Sequence, residues 1–91
     1  MKLTELKPMQ CESIPVLRTA GVLYVSKKYD VAIHLCPCGC GYEVVTPLEH
    51  DPLPGWTLSG DDEFVTLSPS ILCNTTCASH YFIRANRVEW C

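Results

Sequence analysis

Apolar and polar positions alternate along much of the chain, in short runs of period two. Leu23-Tyr24-Val25-Ser26 reads as a strand, and Lys27-Lys28-Tyr29-Asp30 as the turn after it. Val31-Ala32-Ile33-His34-Leu35 is a second strand. Successive side chains leave a strand on opposite faces, so Val31, Ile33 and Leu35 share one face. Ala32 and His34 share the other, which Cys36 continues. The run Cys36-Pro37-Cys38-Gly39-Cys40-Gly41 cannot extend that strand. Pro37 lacks an amide proton and the two glycines permit positive φ, which together predict a tight turn. Tyr42-Glu43-Val44-Val45-Thr46 then completes a hairpin with the cysteine turn at its tip.

Trp56-Thr57-Leu58, Phe64-Val65-Thr66-Leu67, His80-Tyr81-Phe82-Ile83-Arg84 and Arg87-Val88-Glu89-Trp90 are further strands. Ser59-Gly60-Asp61-Asp62 is a turn, and Ala85-Asn86 suits a two-residue hairpin connection. Residues 47–55 carry Pro47, Pro52 and Pro54 and read as loop. Residues 68–79 read as irregular, with a helical turn at Ser70-Ile71-Leu72-Cys73. Residues 1–20, interrupted by Pro8 and Pro15, form an extended leading segment. About seven short strands without a convincing helix predict a mainly β fold. The expected form is a small antiparallel barrel or curled sheet with a metal-binding turn.

The length of 91 residues predicts a single β domain over residues 1–91. Such a chain buries only roughly 60–65% of its unfolded surface, so its core is small and a metal cross-link would add much to its stability. With 47% apolar and 19% charged residues, the composition is that of a folded chain. The net charge is −3, and the seven basic residues are dispersed rather than striped, which argues against a nucleic-acid partner. The acidic residues that thicken between Glu49 and Glu63 read as a solvated loop. The first residues hold no apolar run of signal-peptide length, and nothing approaches the roughly 20 apolar residues of a membrane span. The expectation is a cytoplasmic protein without a membrane partner, in which the Asn74-Thr75-Thr76 sequon is incidental.

In a reducing compartment, seven cysteines point to metal or catalysis rather than to disulfides. Thiolates are preferred zinc ligands, and structural sites close with four of them. Cys36, Cys38 and Cys40 form one cluster, with C-x-C-x-C spacing. Cys77 and His80 have C-x-x-H spacing and lie more than 30 residues away, a suitable separation for two halves of one zinc site. Cys73 is either a fifth ligand or a packing residue, whereas Cys11 and Cys91 fall outside both clusters.

His34, on the face that leads to Cys36, is a candidate ligand or general base, or else a half-buried histidine satisfied by a backbone carbonyl. Glu43, just past the turn, is the best-placed carboxylate base. Ser70 and Ser79, beside the second cluster, are candidate nucleophiles, although serines in such loops usually serve turns. Neither a Gly-x-Ser-x-Gly elbow nor a His-Glu-x-x-His motif is present.

The segments Leu23-Tyr24-Val25-Ser26, His34-Leu35-Cys36-Pro37-Cys38-Gly39-Cys40-Gly41, Val44-Val45-Thr46-Pro47-Leu48, Trp56, Val65-Thr66-Leu67-Ser68-Pro69-Ser70-Ile71, Cys77-Ala78-Ser79-His80-Tyr81-Phe82-Ile83 and Val88-Glu89-Trp90 resemble a compact bacterial domain family. Its members occur in operons of ubiquitin-like proteins with E1-like and E2-like partners, linked to antiviral defence, where the domain is regarded as a peptidase. The resemblance runs from about residue 21 to residue 90 and carries onto His34, Cys36, Cys38, Cys40, Ser70, Cys77, Ser79 and His80. Two positions depart from it. Pro37 stands where many relatives have cysteine, and Leu72-Cys73-Asn74 stands where relatives tend to have Gly-Asn-Trp.

The resemblance implies a zinc-dependent peptidase that processes or removes a ubiquitin-like protein, its partners being that protein or its conjugation enzymes. In that case zinc would keep an open position, with three ligands drawn from Cys36, Cys38, Cys40, Cys77 and His80, and with His34 or Glu43 as base. The alternative is a non-catalytic, zinc-stabilised binding module of the same pathway, which a four-ligand site would favour. A redox or metal-sensing protein is a third reading.

Overall fold

The computed structural model describes residues 2–50, 52–73 and 77–91. Eight strands run in order: β1 (Lys7–Gln10), β2 (Val22–Ser26), β3 (Val31–Leu35), β4 (Glu43–Pro47), β5 (Thr57–Gly60), β6 (Val65–Cys73), β7 (Ser79–Arg84) and β8 (Arg87–Trp90). They form two four-stranded sheets, β1-β2-β3-β4 and β5-β6-β7-β8. No helix among the described residues is long and apolar enough to cross a membrane. The sequon at 74–76 lies outside the described residues.

The all-β expectation holds, and the sheets stay open rather than closing into a barrel. Among the described residues, the isolated bridges Glu5↔Arg87, beside β1 and β8, and Leu48↔Trp56, beside β4 and β5, join the two. Pro47 ends β4 there, because proline has no ladder donor to offer. Two local expectations change. The leading segment contributes β1, which pairs with β2 in parallel and can hold Pro8 because it is an edge strand. The helical turn expected at Ser70–Cys73 is instead the end of β6: Ile71 and Cys73 are buried while Leu72 between them is exposed, the period of a strand.

The core lies between the sheets and draws on both. Leu23, Val25 and Ala32 from the first meet Leu67, Ile71, Tyr81 and Ile83 from the second. On β3, the face that carries Ala32, His34 and Cys36 is the one turned inward. At the β7–β8 turn, Ala85 and Asn86 both take positive φ (48° and 70°), as a two-residue hairpin connection requires. Asn86 is also a hub. Its Oδ1 accepts from the Val65 amide (2.8 Å), its Nδ2 donates to the Glu63 carbonyl (2.7 Å), and its carbonyl accepts from the Leu6 amide (2.8 Å). Through its side chain and its backbone carbonyl, one residue thereby ties the leading segment to the start of β6.

Candidate active site and metal centre

Strand β3 delivers Cys36 into the core, and the chain then reverses over residues 36–41. Gly39 and Gly41 sit at φ of 94° and 82°, a region open to glycine without penalty. The turn is closed by the Cys36 amide on the Tyr42 carbonyl (2.8 Å) and is pinned by the Leu3 amide on the Pro37 carbonyl (2.7 Å). Along it, the amides of Cys38, Cys40 and Tyr42 each draw down the thiol two residues earlier, on Cys36, Cys38 and Cys40. Amides directed at sulfur favour the thiolate form.

The Sγ atoms of Cys36, Cys38, Cys40 and Cys77 all lie within 4.8 Å of one another. Cys36 Sγ is 3.4 Å from Cys38 Sγ and 3.7 Å from Cys77 Sγ. A tetrahedron of metal–sulfur bonds near 2.3 Å has edges of about 3.8 Å, so the four sulfurs could hold a metal ion with little movement. Burial pushes the Cys36 thiol well above its ordinary range, against the Cys38 amide and the Ser79 hydroxyl, which pull it down. At Cys38 desolvation is the largest influence and raises the thiol. The Cys40 and Cys36 thiols, the Cys40 amide and the Ser79 hydroxyl outweigh it and leave Cys38 lowered. At Cys40 the Tyr42 amide acts downward, but the Cys38 thiol, desolvation and Cys77 leave it raised. Four thiolates this close repel one another, and a cation is what lets them ionise together. Cys73 Sγ is 3.4 Å from Cys77 Sγ but stands outside the group of four.

The alternation of β7 sorts the second cluster. Ser79, Tyr81 and Ile83 are buried, whereas His80 and Arg84 are exposed. Ser79 therefore faces the sulfurs, and its hydroxyl draws down the thiols of Cys36 and Cys38. His80 lies on the other face, where its Nε2 is 2.9 Å from Ser70 Oγ.

A bulge in β6 makes that contact. Leu67 pairs with Ile83 and Ile71 with Tyr81, so β6 advances four residues while β7 advances two. The surplus is accommodated around Ser68, Pro69 and Ser70. Bulges of this kind re-aim a side chain and are over-represented beside active sites. The His80 ring is tilted against Phe82, with centroids 6.3 Å apart. A hydroxyl within hydrogen-bond reach of an accessible imidazole is the minimal arrangement for an activated serine nucleophile.

His34 is wholly buried rather than half-buried, and its partner is a side chain: Nε2 lies 2.6 Å from the Tyr81 hydroxyl. Nδ1 is buried without a hydrogen-bond partner among the described residues. Desolvation lowers the imidazole to about 4, which keeps it neutral near pH 7. Burial, reinforced by the neighbouring thiols, pushes the Tyr81 hydroxyl above its ordinary range. Tyr81→Phe strips His34 of this partner and should cost about 1–3 kcal/mol, read as a lower urea midpoint at unchanged slope. Glu43 is exposed at the start of β4 and forms an ion pair with Arg18 at 3.0 Å.

Sequence reasoning placed His80 with the metal and missed it as the neighbour of Ser70. The period-two reading that sorted β3 would have separated Ser79 and Tyr81 from His80 on β7. The Tyr81–His34 contact spans 47 residues and leaves no local signal.

Residues 10–91 match the family described as bacterial ubiquitination-like system serine protease (BubE). The chain belongs to this family. In this chain the outer face of β7 carries His80, beside Ser70 of β6, while the inner face carries Ser79, toward the four-sulfur group. No curated protein and no solved structure matches the chain significantly.

Proposed function

We propose that this chain is a serine protease in which Ser70 is the nucleophile and His80 the general base, acting on a ubiquitin-like protein or its conjugates in the cytoplasm. The 2.9 Å approach of His80 Nε2 to Ser70 Oγ at the surface carries this reading. Ser70 Oγ attacks the scissile carbonyl carbon while His80 Nε2 takes its proton. His80 then returns that proton to the leaving amine, and water activated by the same imidazole releases the acyl group from Ser70.

Zinc suits the all-sulfur donor set, held by Cys36, Cys38, Cys40 and Cys77. Four thiolates close the coordination sphere, so the metal would cross-link the cysteine turn to the segment before β7 rather than polarise a substrate. Ser79 would steady those thiolates. His34 and Glu43 would be supporting residues, since one is sealed in the core and the other is paired with Arg18. The supports for proteolysis through serine are the family description and the pair itself.

The test is covalent labelling of the zinc-loaded protein with a small fluorophosphonate, followed by peptide mapping. The expected adduct is on Ser70 and is lost in both Ser70→Ala and His80→Ala. An adduct on Ser79 would move the nucleophile there and overturn the Ser70 assignment, and none under conditions where the protein is folded would favour the binding-module reading.

A further inference from the structure

Strand β6 is longer than its neighbour β5. Pairing with β5 runs only from Val65 to Ser68, so from Pro69 to Cys73 the strand has β7 on one side and no described strand on the other. In the other sheet β4 is the end strand, with β3 on one side only. Between these two unpaired edges lies a cavity of about 290 Å³, lined by Val44, Val45 and Thr46 of β4, Ile71 and Leu72 of β6, and Trp56. That volume is at the lower end of ligand pockets, which start at roughly 300 Å³.

Three observations describe what would fit. The rim is apolar yet open, with Tyr42, Val45 and Leu72 each about half exposed. Trp56 adds an aromatic wall, and its indole N–H is buried without a hydrogen-bond partner among the described residues. Ser70 lies within the unpaired stretch of β6, next to Ile71 and Leu72 of the cavity wall. Open strand edges accept an extended peptide by strand addition: main-chain hydrogen bonds give affinity, and a pocket for alternate side chains gives selectivity.

We infer that the slot between β4 and the distal half of β6 binds the substrate's acyl-side segment as an extended strand, with one apolar side chain in the cavity and the scissile carbonyl delivered to Ser70. This rests on the serine-protease reading. The acyl side is chosen because processing and removal share it. In both, the ubiquitin-like chain supplies the carbonyl, while the leaving amine varies from substrate to substrate. A shaped slot beside the nucleophile discriminates best on the constant part. The occupant is therefore the extended C-terminal tail of that partner, with an apolar residue a few positions before the cleaved bond.

Peptidyl diphenyl phosphonates test this without requiring turnover. Ser70 Oγ attacks phosphorus, its proton passes to His80 and phenoxide leaves, so the probe carries acyl-side residues only. Probes with one to four residues and a central Leu, Phe, Asp or Lys are compared with the small fluorophosphonate on the zinc-loaded chain. The inactivation rate kinact/KI should rise at least ten-fold from one residue to four, with Leu or Phe preferred over Asp at one position. N-methylation of alternate backbone amides should remove most of the gain. Leu72→Asp and Val45→Asp should lower the ratio of peptidyl to small-probe labelling about ten-fold, whereas Phe64→Asp, exposed and outside the slot, should leave that ratio unchanged. Efficient small-probe labelling of Ser70 with no dependence on peptide length or on Leu72 would overturn the slot while keeping the nucleophile. Failure of the small probe would overturn the serine reading and the slot with it.

Discussion

Ser70→Ala should reduce kcat/KM for cleavage of the ubiquitin-like substrate by about 10⁴-fold, the scale on which serine-protease nucleophiles act. The residue sits on a bulge at the partly exposed end of β6, and its hydroxyl meets an exposed imidazole. Losing that surface hydrogen bond costs little, so the urea midpoint should hardly move. His80→Ala should give a loss of similar size. The double variant should be no worse than either single one, because a nucleophile and its base fail as a unit. Ser79→Ala is the informative contrast. Its hydroxyl serves Cys36 and Cys38 from the inner face of β7, so the variant should weaken metal retention and stability while leaving kcat for the metal-loaded protein within a few-fold. Steady-state kinetics on the four variants at full metal loading decides the matter. The assignment fails if Ser70→Ala keeps a tenth of the activity while Ser79→Ala loses it.

Metal removal should unfold the protein. The purified chain is expected to carry one zinc, and a strong chelator under reducing conditions should abolish the cooperative thermal transition. A small domain has only about 5–15 kcal/mol of net stability, and a structural zinc site in small peptides is worth about 10–16 kcal/mol, so losing it exhausts the margin. Serine at Cys36, Cys38, Cys40 or Cys77 should bring zinc content well below one equivalent. Serine at Cys11 or Cys91, which stand outside the sulfur group, should leave it intact. If the ion only cross-links, cadmium or cobalt in its place should sustain proteolysis within a few-fold of the zinc form. A metal-dependent kcat would instead show that the ion takes part in the chemistry.

Much of the scaffold is legible from local pattern. Strands β2, β3, β4, β7 and β8 follow the period-two runs, and the cysteine turn follows from Pro37 and the two glycines. The Ala85-Asn86 connection follows from a two-residue gap that contains asparagine. Strand β1 was less legible, because Lys7-Pro8-Met9-Gln10 has no alternation and is held by parallel pairing with β2. The end of β6 was obscured by the proline and serines before it, although Ile71-Leu72-Cys73 alternates once the strand is placed.

By itself, then, the sequence determined an all-β chain in which cysteines at alternate positions of a glycine-bearing turn are matched by a distant segment carrying Cys77 and His80. Those properties are local or compositional: backbone freedom at Gly39 and Gly41, ligand chemistry at sulfur, and the two-residue repeat of a strand. The tertiary structure alone decided which serine meets which histidine. That depends on the register of β6 against β7, where two surplus residues swing Ser70 outward to His80 while Ser79 and Tyr81 turn inward to the sulfurs and to His34. A one-residue slip of register exchanges every inward and outward side chain. The register is fixed by packing Leu67, Ile71, Tyr81 and Ile83 into one core, a constraint that acts across the whole chain and is written in no single segment.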